Sequence, residues 1–466
     1  MITLREDLVQ GVENESSLEV VSGGPLRGTL RVPGDKSISH RALLLAARAG
    51  GRSLISGYSK GADVTRTIKA VEVLGAEVAR IEGPGGSAVL EVEGGLGNWS
   101  ESPRRSLDAI EVDCGNAGTL MRLLAGAVAG VDGLVVKLTG DSSLSSRPMD
   151  RVAEPLRAMG ASVTGSGNRC LPPITVVGSR LNGIEWEPRV ASAQVKSAIL
   201  LAGIVADGET VVKEPITTRT NTEDLLQAVR ADIEIVDDGE GRTIRVRRSK
   251  LNAFNVAIPG DPSQAAFWTV AGCVVPESEI KIVDVYDGKA RMGFLSVLER
   301  MGADIELERR DVVESGSEIG FATLEISVRA GPLKGTVVEA AEIPSLDEVP
   351  ILAVAAAAAT GSTRFNRVGE LRVKESDRLE GVLELVRGLG ATAVTEGDDL
   401  IVEGVGTERR LTGTHVHTRG DHRMAMAGIV AALATKAGET SVIEDYHMIG
   451  TSYPGFIADV RSLAIV

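Results

Sequence analysis

The chain has 466 residues, a formal net charge of −14 at pH 7, 43% hydrophobic residues, 24% charged residues and only 3% aromatics. That length exceeds one ordinary core and calls for two domains, and that hydrophobic share makes a globular protein rather than a disordered one. The acidic balance and the scarcity of rings work against DNA binding and against a base-stacking platform, so no nucleic-acid partner is expected.

Cys114, Cys170 and Cys273 lie far apart and form no CxxC. No disulfide framework or structural zinc site follows from them, and reduced thiols in a cytoplasm fit best. The N-terminus carries Glu6 and Asp7 where a targeting peptide would be apolar or arginine-rich, and the longest apolar run, Ile351 to Ala359, is too short for a bilayer. No membrane partner is expected.

In chain order, one segment type recurs six times: a polar start, an Ala/Leu/Val-rich helix, a glycine and a short strand. The copies begin near Asp35, Cys114, Ala191, Gly260, Ser345 and Gly420. Their helices are apolar nearly all round, which predicts burial rather than a surface position. A second, amphipathic helix ending in Gly-Ala before a strand follows most copies, from Val71, Leu156, Val297 and Val386, with a weaker version from Leu226. The glycine stands where a C-cap belongs. Each unit therefore reads as a βαβαββ-type repeat, in an α/β fold of two domains with three repeats each, helices buried and sheets outside. The sixth copy stops short after Phe456–Leu463, and Leu18 to Pro33 is expected to supply its missing strands. The related segments VPGDKS (Val32–Ser37) and IPGDPS (Ile258–Ser263) place the domain crossings near 34 and 258. One domain is then 1–34 with 258–466, and the other 35–257.

Lysine and arginine gather at the predicted helix starts against the net charge. Lys36 and Arg41 lie on the first buried helix, Arg122 on the second, Lys196 on the third and Arg423 on the sixth; Arg147, Arg219, Lys374 and Arg378 open the second-type helices. Helix N-termini offer free N–H groups and partial positive charge, so these cations predict anion binding. GDKS lacks the rest of a phosphate loop, and the G-x-S-x-G at Gly57–Gly61 is not repeated in the equivalent loops, which makes its serine incidental. His415-Val-His417 with Asp421 and His422 has strand spacing for ligands on one face, but no other His- or Asp-rich segment supplies an outer ligand set, so no catalytic metal is expected. Asp347, Glu348 and Glu375 are carboxylates among cations, where they would stay ionised and could serve as general bases.

These residues carry a family resemblance. PGDKSISHRALLLAA, GNAGT-x-MR, SSRPM, SAQVKSA, DEVP-x-LAVAA, LRVKESDRL and DHRMAMA together resemble the 5-enolpyruvylshikimate-3-phosphate (EPSP) synthase family from about Leu26 to Phe456. The resemblance implies that family's two-domain fold and its reaction, transfer of the enolpyruvyl group of phosphoenolpyruvate to the 5-hydroxyl of shikimate 3-phosphate with release of phosphate. It implies no cofactor and no metal, a cytoplasmic monomer, and glyphosate as a competitor of phosphoenolpyruvate. By the same resemblance, Lys36 contacts both substrates, and Ser37 and Arg41 hold the shikimate carboxylate. Ser192, Ala193 and Arg219 form the shikimate-phosphate pocket, and Lys374 meets the ring hydroxyls. Asn116, Gly118, Arg147, Arg378 and Arg423 bind phosphoenolpyruvate, with Gln194 between the ligands. Asp347 is the base toward the 5-hydroxyl and also touches shikimate 3-phosphate, Glu375 exchanges protons with the methylene carbon, and His422 assists.

The branch markers are mixed. SAQVK and LRVKESDRL resemble class II, yet Asn221 stands where that branch has histidine. Thr451 stands where class I has a lysine, and Leu123 where class I has a proline. Two alternatives remain open at this point: the sister enolpyruvyl transferase acting on UDP-N-acetylglucosamine, which has Lys-Asn in place of Lys36-Ser37 and a reactive loop cysteine, and a non-catalytic repeat protein that binds phosphorylated ligands.

Overall fold

The computed structural model describes residues 3–8, 16–83, 88–95, 109–237, 239, 241–288, 290–310, 318–406 and 410–464. Its repeats share one element order. The clearest runs from strand Ile110–Asp113 through a buried helix to Val135–Thr139, then through a second helix to the hairpin Ser162–Ser166 and Leu171–Val177. The first two strands pair in parallel and the hairpin adds antiparallel, in the spatial order first, second, fourth, third. A parallel pair needs a long crossover, which is why an apolar helix separates those two strands in sequence.

The helices alternate along the chain: α1 Lys36–Arg48, α2 Ala62–Val73, α3 Gly118–Ala129, α4 Asp150–Met159, α5 Ala193–Gly203, α6 Asn221–Ala228, α7 Pro262–Val274, α8 Gly293–Arg300, α9 Val349–Ala358, α10 Arg378–Gly388, α11 His422–Leu433 and α12 Phe456–Leu463. The odd-numbered members are the all-apolar segments. α11 is buried along its whole length, and α7 over Pro262–Cys273. The outer strands are wet on one face: Asp304–Arg310 is exposed at nearly every position.

The chain forms two compact units. One comprises Met1–Pro33, Pro259–Asp311 and Ala322–Val466; the other comprises Gly34–Ile258 and Val312–Phe321. In the first unit α7, α9 and α11 pack on one another. The Ala-rich stretch of α9 keeps these helices slender, and the bulk comes from Trp268, Phe267, Tyr453 and Phe456, which stack edge to face. Trp268 Nε1 donates to Tyr453 Oη at 3.1 Å, and Tyr453 Oη donates to Asp459 Oδ2 at 2.6 Å. In the second unit α3 and α5 meet at Gly126, where an added Cβ would lie 2.2 Å from the Ala198 carbonyl oxygen.

Two details differ from the sequence reading. The truncated sixth repeat is completed by a hairpin of Thr3–Leu8 and Ser16–Val21, the latter antiparallel to Thr440–Glu444. The donated strands thus begin well before Leu18, because a whole hairpin is missing rather than one strand. Arg27–Leu30 instead opens the fourth repeat, parallel to Glu279–Tyr286. Val312–Phe321 belongs to the unit of Gly34–Ile258, where Glu318–Ile319 adds a parallel edge strand to Asn255–Ala257. It leaves from inside the hairpin Asp304–Arg310/Thr323–Arg329, an insertion that carries no repeat signal of its own.

The Gly57–Gly61 segment is structural: Ser59 is buried, and its backbone N–H donates to Ser39 Oγ at 3.0 Å. Burial pushes the Cys114 and Cys273 thiols up to about 12, and all three cysteines are buried and free, so none is poised as a reactive thiolate. Among the described residues no helix is long and apolar enough to cross a membrane.

Candidate active site

In the unit of Gly34–Ile258 the functional side chains gather at the N-termini of α1, α3 and α5. Asp35 caps α1, accepting from the Ile38 N–H at 2.8 Å, which leaves Lys36 and Ser37 half-buried on the first turn. Lys36 Nζ lies 2.9 Å from Asp63 Oδ2. Arg41, one turn on, is nearly fully buried. It donates to the Ser37 carbonyl at 2.8 Å, to Ser197 Oγ at 2.6 Å and to Thr222 Oγ1 at 2.5 Å, which ties α1 to α5 and α6.

At α3 the Asn116 amide is fixed from both ends. Its nitrogen donates to Asp141 Oδ2 at 2.8 Å, and its oxygen accepts from Arg147 Nη2 at 2.7 Å. Gly118 sits beneath two guanidiniums, and a Cβ built there would come 3.1 Å from Arg122 Nη1 and 3.2 Å from Arg147 Nη1. Gln194, on the first turn of α5, accepts from Arg122 at 2.6 Å and donates to Thr119 Oγ1 at 2.8 Å. A cavity of about 290 Å³ lies beside the start of α5, lined by Arg189, Ser192, Glu214 and Ile216 among others. Arg219 is half-buried just ahead of α6.

In the other unit a second cluster forms around Arg378, the first residue of α10 and fully buried. Its guanidinium donates to Asp421 Oδ2 at 2.7 Å and to Asp347 Oδ1 at 3.2 Å, and lies 2.5 Å from Glu375 Oε2. Arg423 reaches the same Asp347, at 3.4 Å from Oδ2 and 3.3 Å from the carbonyl oxygen. Asp347 is thus held between two arginines. Burial works to lower the pKa of Arg378, but the charges of Asp421, Glu375 and Asp347 outweigh it and raise the value, so the guanidinium stays charged. Burial lowers that of Lys374 despite nearby Asp347.

Asp421 caps α11 and accepts from the Arg423 N–H at 2.9 Å. Burial alone would raise its pKa, but Arg378, with help from His422, holds it below the usual carboxylate range. A depressed folded-state pKa gives stabilisation that is complete above the unfolded value of about 3.9 and is lost as pH falls through the folded one. Thermal melts between pH 6 and 3 are expected to show a falling melting temperature below about pH 4. The fall should be shallower in Asp421→Asn.

Three expectations need correction. Lys196 is no anion ligand: it points into the core, 2.7 Å from Glu214 Oε2 and 2.6 Å from Glu223 Oε1, with no exposed side-chain surface. It sits on the first turn of a helix that is buried from Val195 onward, which turns it inward. Glu348 does not share the role of Asp347, since it is buried against Ser263 and Ser345. Asp421 and His422 are buried at the start of α11 and are not on the face of His415 and His417. Sequence reasoning missed Asp421 as the partner of Arg378. Its signal was an N-cap aspartate directly ahead of an apolar helix.

A family model described as EPSP synthase (3-phosphoshikimate 1-carboxyvinyltransferase) matches residues 20–460. The chain belongs to the EPSP synthase family. It is 43% identical over 451 residues to the 3-phosphoshikimate 1-carboxyvinyltransferase of Desulforudis audaxviator (strain MP104C), covering 96% of this chain and 100% of that one. The solved EPSP synthase of Acinetobacter baumannii superposes with a TM-score of 0.80 at 32% identity, over 97% of this chain and 98% of that one. The enolpyruvyl transferase NikO of Streptomyces tendae, at 19% identity and a TM-score of 0.71 over 97% and 98%, shares the fold alone. As an EPSP synthase family member the chain is a transferase.

Proposed function

We propose that this chain transfers the enolpyruvyl group of phosphoenolpyruvate to the 5-hydroxyl of shikimate 3-phosphate, a step of aromatic amino-acid biosynthesis. The observation that carries the residue roles is Asp347 held between Arg378 and Arg423, with Glu375 on the same Arg378. Asp347 accepts the proton of the 5-hydroxyl as its oxygen attacks C2 of phosphoenolpyruvate, while Glu375, entering the step as the carboxylic acid, delivers its proton to the C3 methylene. The tetrahedral intermediate then loses inorganic phosphate, which leaves with the proton that Asp347 had taken up, and Glu375 takes back a proton from C3, restoring the vinyl group and both carboxyl groups to their starting states. Arg378, Arg423, Asn116, Gly118, Arg147 and Lys36 hold phosphoenolpyruvate. Lys36, Ser37, Arg41, Ser192, Ala193, Gln194, Arg219 and Lys374 hold shikimate 3-phosphate, and His422 supports Asp421 electrostatically. Two polyanionic substrates demand such a set of fixed cations, because a charge brought out of water is stable only against preorganised partners. We assign the domains as 1–34 with 258–466 and as 35–257, the short segment Val312–Phe321 joining the latter, and place the protein in the cytoplasm as a monomer.

The test is phosphate release from phosphoenolpyruvate with shikimate 3-phosphate, with UDP-N-acetylglucosamine, and with no acceptor, in chelator-treated buffer. Release that depends on shikimate 3-phosphate alone supports the reading, and release with the sugar nucleotide instead sinks it. Glyphosate should compete with phosphoenolpyruvate. Gly118→Ala would press a methyl group against the Arg122 and Arg147 guanidiniums. Steady-state kinetics should then show KM for phosphoenolpyruvate and Ki for glyphosate both rising about tenfold, the size of one weakened charge-assisted hydrogen bond.

A further inference from the structure

His415 and Val416 form a two-residue edge strand parallel to Thr440–Glu444, with His415 opposite Val442 and Val416 opposite Ile443. Continuing that register brings Glu444 level with His417. The two imidazoles, two residues apart, stack at 4.8 Å with planes 20° apart and both turn to the same carboxylate. His415 Nε2 lies 2.8 Å from one Glu444 oxygen and His417 Nδ1 2.7 Å from the other. One ligand atom from each of the three residues lies within 4.8 Å of the others.

We propose that His415, His417 and Glu444 form a surface site for a borderline divalent transition metal of the zinc class, separate from the residues assigned to the reaction. Two imidazoles and one carboxylate are a donor set that suits zinc, nickel or copper and is poor for magnesium or calcium, which prefer all-oxygen shells. Bonds of ~2.1 Å place tetrahedral ligands ~3.4 Å apart, so the trio needs only side-chain rotation to close on an ion. Half of each imidazole is exposed, which leaves entry and the remaining coordination positions to water. Glu444 belongs to an inner strand of its sheet and the histidines to the edge. A bound ion therefore staples that edge just ahead of the turn that delivers Asp421 and α11.

The experiment is calorimetric titration of chelator-stripped, then chelator-free, full-length protein with zinc chloride, with thermal melts alongside. The expected result is one zinc ion per chain and a raised melting temperature. The double variant His415→Gln/His417→Gln should bind at least about tenfold more weakly and lose the thermal gain. Glu444→Gln should weaken binding in the same direction. His447 is the other exposed histidine among the described residues, and His447→Gln should bind as the parent does. Equal zinc binding by the double variant, loss of binding in His447→Gln, or magnesium binding as tightly as zinc would each overturn the assignment. Circular dichroism of each variant checks its fold.

Discussion

Asp347→Asn is expected to lower kcat for enolpyruvyl transfer by about 10²–10⁴-fold, the share a positioned general base contributes. The amide keeps the shape of the carboxylate and its one oxygen can still accept from Arg378 or Arg423, so KM for phosphoenolpyruvate should change less than kcat. Glu375→Gln should cause a loss of similar size but with a different signature. In deuterium oxide the parent protein should wash deuterium into the methylene carbon during turnover, and the glutamine variant should do so much more slowly. A normal rate in either variant would remove that carboxylate from the proposed mechanism.

The second large effect is on stability. Lys196→Met removes the cation in direct contact with Glu214 and Glu223, whose side chains are 3% and 0% exposed. Leaving buried carboxylates without their counter-charge costs about 3–5 kcal/mol, far more than an exposed ion pair is worth. For a unit of this size that corresponds to a fall of roughly 6–20 °C in its melting transition. The sign of the pH dependence follows from Glu223, whose pKa is already raised by burial even with Lys196 present. A carboxyl with a raised folded-state pKa binds its proton more readily folded than unfolded, so the penalty should grow as pH rises and shrink on acidification. Melts of the variant and parent at pH 5 and pH 8 check this, and an equal difference at both would contradict it. Glu214 also accepts from Thr218 at 2.5 Å, so the loop carrying Arg219 should loosen with the triad, raising KM for shikimate 3-phosphate.

The repeat was legible in the sequence because burial on all sides leaves a helix no room for polar residues, and the C-cap glycine before each strand punctuates the pattern. Cations at recurring helix starts were legible for a related reason: an anion site uses the same place in each copy. Lys36, Arg378 and Arg423 each sit on the first turn of such a helix, and Arg147 and Arg219 lie just ahead of one. The direction of a long side chain was not legible. Lys196 and Gln194 lie two residues apart on the same helix, yet Gln194 meets Arg122 near the surface of α5 while Lys196 enters the core. Asp347 and Glu348 are adjacent in the turn ahead of α9 and meet different partners, Arg378 with Arg423 and Ser263 with Ser345.

By itself the sequence determined the class of fold, the repeating order of strands and helices, and which residue types crowd at the helix ends, since these depend on local pattern and spacing. Only the tertiary structure decided that the N-terminal hairpin completes the sixth repeat, that Asp421 is the counter-charge of Arg378, and that Glu444 faces His415 and His417. Each of those pairs residues distant in the chain, through strand register and helix packing that no local pattern encodes.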